Sequence, residues 1–121
     1  MGYIKHDTIL VVFDDWVLND PEWMPDVEAF KQSLPEEWRH LIVGPIQALV
    51  NGYITYAFLP DGSKEGWTPS DDGDRYRDQF VELFNKGYDD RSSPFDVTRV
   101  RHGGDDETLT KAEHVYPTHL R

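Results

Sequence analysis

The dipeptide Asn51-Gly52 constrains this chain more than any other feature. Both residues accept positive φ, as a tight hairpin turn demands, and strand-like runs flank them at Ile46–Val50 and Tyr53–Leu59. A hairpin here commits the chain to an antiparallel sheet. In the second run Ile54, Tyr56 and Phe58 share one face, while Tyr53, Thr55, Ala57 and Leu59 share the other. Pro45 has no N–H to give to a ladder, so it weakens the start of the first run or places it at an edge.

The remaining segments fall around that hairpin. Thr8 to Phe13 is a short, β-branched apolar run and reads as a buried strand closed by Asp14 and Asp15. Asn19-Asp20-Pro21 is a helix start with Asp20 as N-cap, or the helix begins at Pro25 after a loose turn. Val27, Phe30 and Leu34 then recur at helical spacing until Pro35, and Glu36–Arg39 add one further turn. A second helix starts at a Ser70 or Asp71 cap and runs to about Asn85, with Tyr76, Phe80, Leu83 and Phe84 as its apolar stripe and Gly87 as its C-terminal cap. Phe95–Arg101 alternates as a strand, Gly103–Asp106 turns, and Thr108–Tyr116 is a last strand.

The expected order is β-α-β-β-α-β-β. Its first six elements match the ferredoxin-like pattern of two split β-α-β units, and the last strand extends the sheet. The expectation is therefore an α+β fold with an antiparallel sheet and two helices on one face, the other face being left to solvent or a partner. Residues 1–116 make one domain and 117–121 a flexible tail.

Composition removes several classes of function. With 121 residues the chain fits one domain, and with no cysteine it has no disulfide framework, thiol nucleophile or cysteine-based metal site. No apolar run reaches membrane-spanning length, and the N-terminal run lacks a signal-peptide cleavage site, so a cytoplasmic location is expected. The net charge of −11 opposes gripping of nucleic-acid phosphates or anionic lipid and favours basic partners.

Candidate chemistry concentrates between Pro60 and Phe80. Gly62, Gly66 and Gly73 relax the backbone there, and Asp71, Asp72 and Asp74 suit the positive end of a helix dipole. Helix capping explains the acids but not Lys64 or Trp67. The expected ligand- or partner-binding set is Asp61, Lys64, Glu65, Trp67, Ser70, Asp71, Asp72, Asp74 and Arg75. A glycine-rich connection before a helix can cradle phosphate on backbone N–H groups, with Lys64 and Arg75 adding charge and Trp67 stacking on a base. No phosphate-loop or dinucleotide fingerprint accompanies it, and the acids repel an anion. Thr68, Ser70, Asp72, Gly73 and Gln79 fall on a calcium-loop template, but Thr and Gln replace the carboxylates at its ends, so no metal and no cofactor is assigned. His6-Asp7-Thr8 has the His-x-Thr form of two-histidine phosphoesterases; that chemistry uses the motif twice, and no other histidine has Ser or Thr two places on. Trp16, Trp23, Trp38 and Trp67 are either core anchors or an acidic-aromatic docking surface.

The segments MGYIKH, NGY, PDGSKEGW, SDDGD and SSPFD, followed by HGGDD, together resemble a family of small acidic proteins of bacteriophages and prophages. The likeness centres on Asn51–Phe80 and fits Asp14–Pro35 poorly. It implies an accessory protein working in a bacterial cytoplasm and carries over no catalytic residues. The resulting expectation is a non-enzymatic binding protein, an accessory or counter-defence factor that engages a basic host protein through an acidic surface, with a homodimer compatible. The alternatives are a protein that holds a nucleotide-like signal at the Gly62–Arg75 loop and a phosphoesterase using His6 and Thr8.

Overall fold

A computed structural model describes residues 5–63, 67–103 and 111–120. They form β1 (Lys5–Asp14), α1 (Asp15–Leu18), α2 (Val27–Ser33), α3 (Glu36–Arg39), β2 (Ile42–Gln47), β3 (Tyr53–Phe58), α4 (Thr68–Leu83), β4 (Asp96–Gly103) and β5 (Lys111–Val115). The strands build one sheet in the order β2-β3-β1-β4-β5, and every neighbouring pair is antiparallel. The architecture is mixed α+β as expected, but the described residues contain four helices rather than two.

Asn51 and Gly52 take φ of 63° and 65°, as the dipeptide predicts. The loop is longer than a two-residue turn, because the Ala48 N–H donates to the Tyr53 carbonyl at 2.9 Å and encloses Leu49 to Gly52. β2 starts at Ile42, four residues before the expected Ile46. Ile42 lies opposite Phe58 and is buried with it, which draws the strand forward. The ladder then skips Gly44 and Pro45 between Val43 and Ile46, so the proline sits in a bulge where no N–H is needed.

The expected first helix is the short α2, the further turn expected at Glu36–Arg39 is α3, and α1 at Asp15–Leu18 lies before either expected start. Asp20 accepts a hydrogen bond from the Glu22 N–H at 2.9 Å and forms a local turn rather than a cap. Asp26 is the residue that caps α2, accepting from the Ala29 N–H at 2.9 Å, which favours the later of the two starts. α4 begins at Thr68 behind Trp67, before the predicted Ser70 or Asp71, and carries Pro69 in its first turn, where a missing N–H costs nothing. The strand predicted at Phe95–Arg101 is β4, shifted to Asp96–Gly103, and β5 covers Lys111–Val115 of the expected last strand. Residues 104–110, including most of the predicted turn, lie outside the described residues.

Alternation decides which side is the core. Ile9, Val11 and Phe13 of β1 pair with Phe58, Tyr56 and Ile54 of β3, and Val97 of β4 lies beside Val11; all are buried. Phe80 and Phe84 of α4 meet this face edge-on, Phe80 on Phe58 at 5.7 Å and Phe84 on Phe95 at 5.2 Å between ring centroids. Phe30 of α2 and Trp38 of α3 contact Phe80 and Tyr76 of α4, so the short helices join the same layer.

The end of the chain runs beside α4. Gly87 does not cap α4, whose C-cap is Phe84; its N–H donates to the His119 carbonyl at 2.8 Å and it bridges to Leu120. Asn85 Nδ2 donates to Thr118 Oγ1 at 2.6 Å, and His119 pairs with Glu82. These contacts lie within the segment expected as the C-terminal tail.

Candidate functional site

The Pro60–Ser63 segment leaves β3 and runs beside the start of α4. Between it, α3 and the first residues of α4 lies a cleft of about 360 Å³, lined among others by Glu37, Trp38, His40, Asp61, Ser63 and Trp67. The two tryptophans differ in role. Trp38 is 7% exposed and anchors α3 in the core, with its ring 5.2 Å from Tyr76, whereas Trp67 is 52% exposed at the head of α4. Of the other two, Trp23 is a core residue and Trp16 lies half exposed, so neither reading of the tryptophans covers all four.

One wall of the cleft is fixed by a buried charge. Arg77, 2% exposed, donates through one terminal nitrogen to the Leu59 carbonyl and to Asp61, both at 3.1 Å, and lies 5.0 Å from the Phe58 ring centroid. Its Nε is buried without a hydrogen-bond partner. Gly73 makes this possible: a Cβ there would stand 2.6 Å from Arg77 Nη1 and 3.1 Å from the Trp38 ring. The glycine sits inside a helix, so its purpose is space and not the backbone freedom expected from the sequence.

Asp7 lies deeper along the same interface. Arg99 grips its carboxylate with both Nε and Nη2, at 3.1 and 2.7 Å, and reaches Asp78 on α4 through Nη1 at 2.7 Å. Arg101 Nε stands 3.6 Å away. Burial alone would push the Asp7 carboxyl up, but the Arg99 hydrogen bonds and the charges of Arg99, Arg77 and Arg101 hold it below its ordinary value. Burial likewise works against the Arg99 cation, and the Asp7 and Asp78 carboxylates more than offset it, so its pKa rises.

The predicted set is only partly gathered here. Asp61 and Trp67 line the cleft. Ser70 donates its backbone N–H to the Trp67 carbonyl at 3.0 Å, within the first turn of α4. Asp71, Asp72 and Asp74 follow on that helix, Asp72 pairing with Arg75 at 3.2 Å, and Arg75 lies 5.0 Å from the Tyr76 ring centroid. Lys64 and Glu65 lie outside the described residues. Trp38 was weighed only as a core or docking tryptophan, and His40, Ser63 and Arg77 fell outside the expected set. Arg77 was legible in principle, since it sits three residues before Phe80 on the buried stripe.

His6 does meet a second histidine. The His6 and His102 rings face each other across β1 and β4 with centroids 5.2 Å apart, and Thr8 lies opposite Val100, which has no hydroxyl. Among the described residues no group of three or more His, Cys, Asp or Glu is arranged to hold a metal ion, and no helix is long and apolar enough to cross a membrane.

No protein-family model, curated protein or solved structure matches this chain. The likeness to phage and prophage proteins therefore rests on the quoted segments alone.

Proposed function

We propose that the chain is a non-enzymatic binding protein that receives a lysine or arginine side chain of a basic partner in the cleft between α3 and α4. The observation that carries this reading is the half-exposed Trp67 in a cleft that Glu37 and the Arg77-paired Asp61 also line. A cation near an indole face is held by the ring quadrupole, worth about 0.5–2 kcal/mol, and nearby carboxylates add attraction and on-rate. Asp71, Asp72 and Asp74 extend the negative rim, and the net charge of −11 draws basic partners from a distance. The same rim disfavours a phosphate-bearing ligand. An accessory or counter-defence role toward a host protein is part of this proposal, supported by the quoted phage-like segments and by charge.

The proposal extends to topology. A ferredoxin-like arrangement of the β1-to-β4 part is supported by β1 pairing with both β3 and β4 and by β3 pairing with β2.

The test is titration of an arginine-rich peptide, followed by tryptophan fluorescence, against wild type, Trp67→Ala and Asp71→Asn/Asp72→Asn. Each variant should weaken binding by roughly tenfold, and binding should fall as salt rises. Equal affinity for an acidic control peptide would reject the reading. Turnover of a cyclic dinucleotide that is lost in His6→Ala would replace it with the phosphoesterase alternative.

A further inference from the structure

The sheet has a second face, opposite the helices. Over its β2-β3-β1 half the side chains are Val43 and Ile46 on β2, Tyr53, Thr55 and Ala57 on β3, and Leu10 and Val12 on β1, while β4 and β5 continue the face with polar residues such as Asp96, Thr98 and His114. Ala57 is only 7% exposed because Leu10 and Val43 flank it in the same row. Its neighbours are not covered: Leu10 is 37%, Val43 38%, Tyr53 45% and Ile46 59% exposed. Leu49 and Val50 stand out at the adjoining hairpin tip, Leu49 wholly in solvent. Two carboxylates border this half-sheet: Asp14 lies opposite Tyr53, and Asp96 of β4, beside His114, lies opposite Val12.

We propose that this face pairs with the same face of a second copy of the chain. Charge selects that occupant. On a chain of net charge −11, a basic partner finds its complement in the carboxylates of α4, whereas the row from Val43 through Ala57 to Leu10 offers it only apolar side chains. An identical apolar face is its complement, and two twisted sheets stack at a shallow angle with their side chains interleaved. The area is sufficient. On typical side-chain areas, Leu10, Val43, Ile46, Tyr53, Leu49 and Val50 expose roughly 600 Å² per copy, so a pair buries roughly 1,200 Å², the lower end for specific complexes. Joining edge to edge through β2 is the poorer route, since the Gly44-Pro45 bulge interrupts that edge. None of these residues lines the α3–α4 cleft, so the dimer stands or falls independently of the basic partner.

Salt separates the two associations. Two copies of like net charge repel, so added salt tightens the dimer while it loosens a basic ligand in the cleft. The experiment is sedimentation equilibrium of the full chain at low and high salt, from low to high micromolar concentration, for wild type, Ile46→Asp, Val43→Asp and Trp67→Ala. Both aspartate positions are exposed in the single chain, so the fold should persist, with far-ultraviolet circular dichroism as the check. The expected result is a dimer that tightens with salt, is unaffected by Trp67→Ala, and is weakened at least about 100-fold by either aspartate, because the two-fold buries each new carboxylate twice. A monomer at every concentration overturns the proposal, as does a dimer that survives both aspartates.

Discussion

Replacing Asp7 with alanine should be among the most damaging single changes in this chain. The carboxylate is 3% exposed and accepts two hydrogen bonds from Arg99, with Arg101 Nε close by. Its removal leaves guanidinium groups facing a space that water does not readily fill. Breaking a buried ion pair from one side costs about 3–5 kcal/mol. Arg99 keeps Asp78, whose side chain is 67% exposed, so the lower end, about 3 kcal/mol, is expected here. The assay is urea unfolding followed by tryptophan fluorescence, with a double-mutant cycle against Arg99→Met. If the pair is the cause, the coupling energy should reach about 2 kcal/mol, since contacting charged residues couple within the 0.5–3 kcal/mol range. Acid gives a second readout. Because folding depresses the Asp7 pKa, its contribution is fully present above the unfolded carboxylate value, near 3.9, and is lost as pH falls through the lower folded value. The gap between wild type and Asp7→Ala should therefore be widest near neutral pH and close below about pH 4. A loss under about 1 kcal/mol at neutral pH, or a gap that does not change with acid, would refute the reasoning.

Two further outcomes are expected. Phe80→Ala, at a fully buried ring, should cost about 3–5 kcal/mol in denaturant unfolding, and a shift no larger than that of a surface control would mean that α4 does not pack through this residue. Gly73→Ala should destabilise even though alanine favours helices by about 1 kcal/mol over glycine, because its Cβ would press on a guanidinium already tied to Asp61 and Leu59; a rise in melting temperature would show that Arg77 can move aside.

The sheet was legible because its signals are local. Alternation around Asn51-Gly52 marked the inward residues of β3, and the β-branched run marked β1. The first helical region was legible only in part: α2 and the turn at Glu36–Arg39 were marked, but Asp20 satisfies a neighbouring N–H in a turn rather than capping a helix, and α1 left no periodic signal. The cleft was half legible. Asp61 and Trp67 stood out as chemistry in a loop, but Trp38 arrives from α3, a distant segment, and no local pattern ties the two. The ion cluster left a trace that composition hides: Asp7 precedes Ile9 and Val11 on the inward side of β1, and Arg99 follows Val97 on the inward side of β4. A charged residue at an inward position predicts a buried partner of opposite sign, a condition that both Arg99 and Arg101 on the facing strand meet.

The placing of these buried charges bears on how the cleft works. A loop that leaves a strand and enters a helix is free to shift, and a cleft walled by such a loop would lose affinity to the entropy of ordering it. Here Asp61 is held by Arg77, and Arg77 is lodged between α4 and the Phe58 ring in the space that Gly73 leaves. The loop wall and the helix that carries Trp67 and the acidic rim are thus joined through one buried side chain. Moving either would strand a guanidinium in the core, a cost of several kcal/mol that far exceeds the gain from a single surface contact. That wall of the cleft is therefore held by a buried network, and under the proposed function the acids left outside it on α4 are the ones that would meet a basic partner.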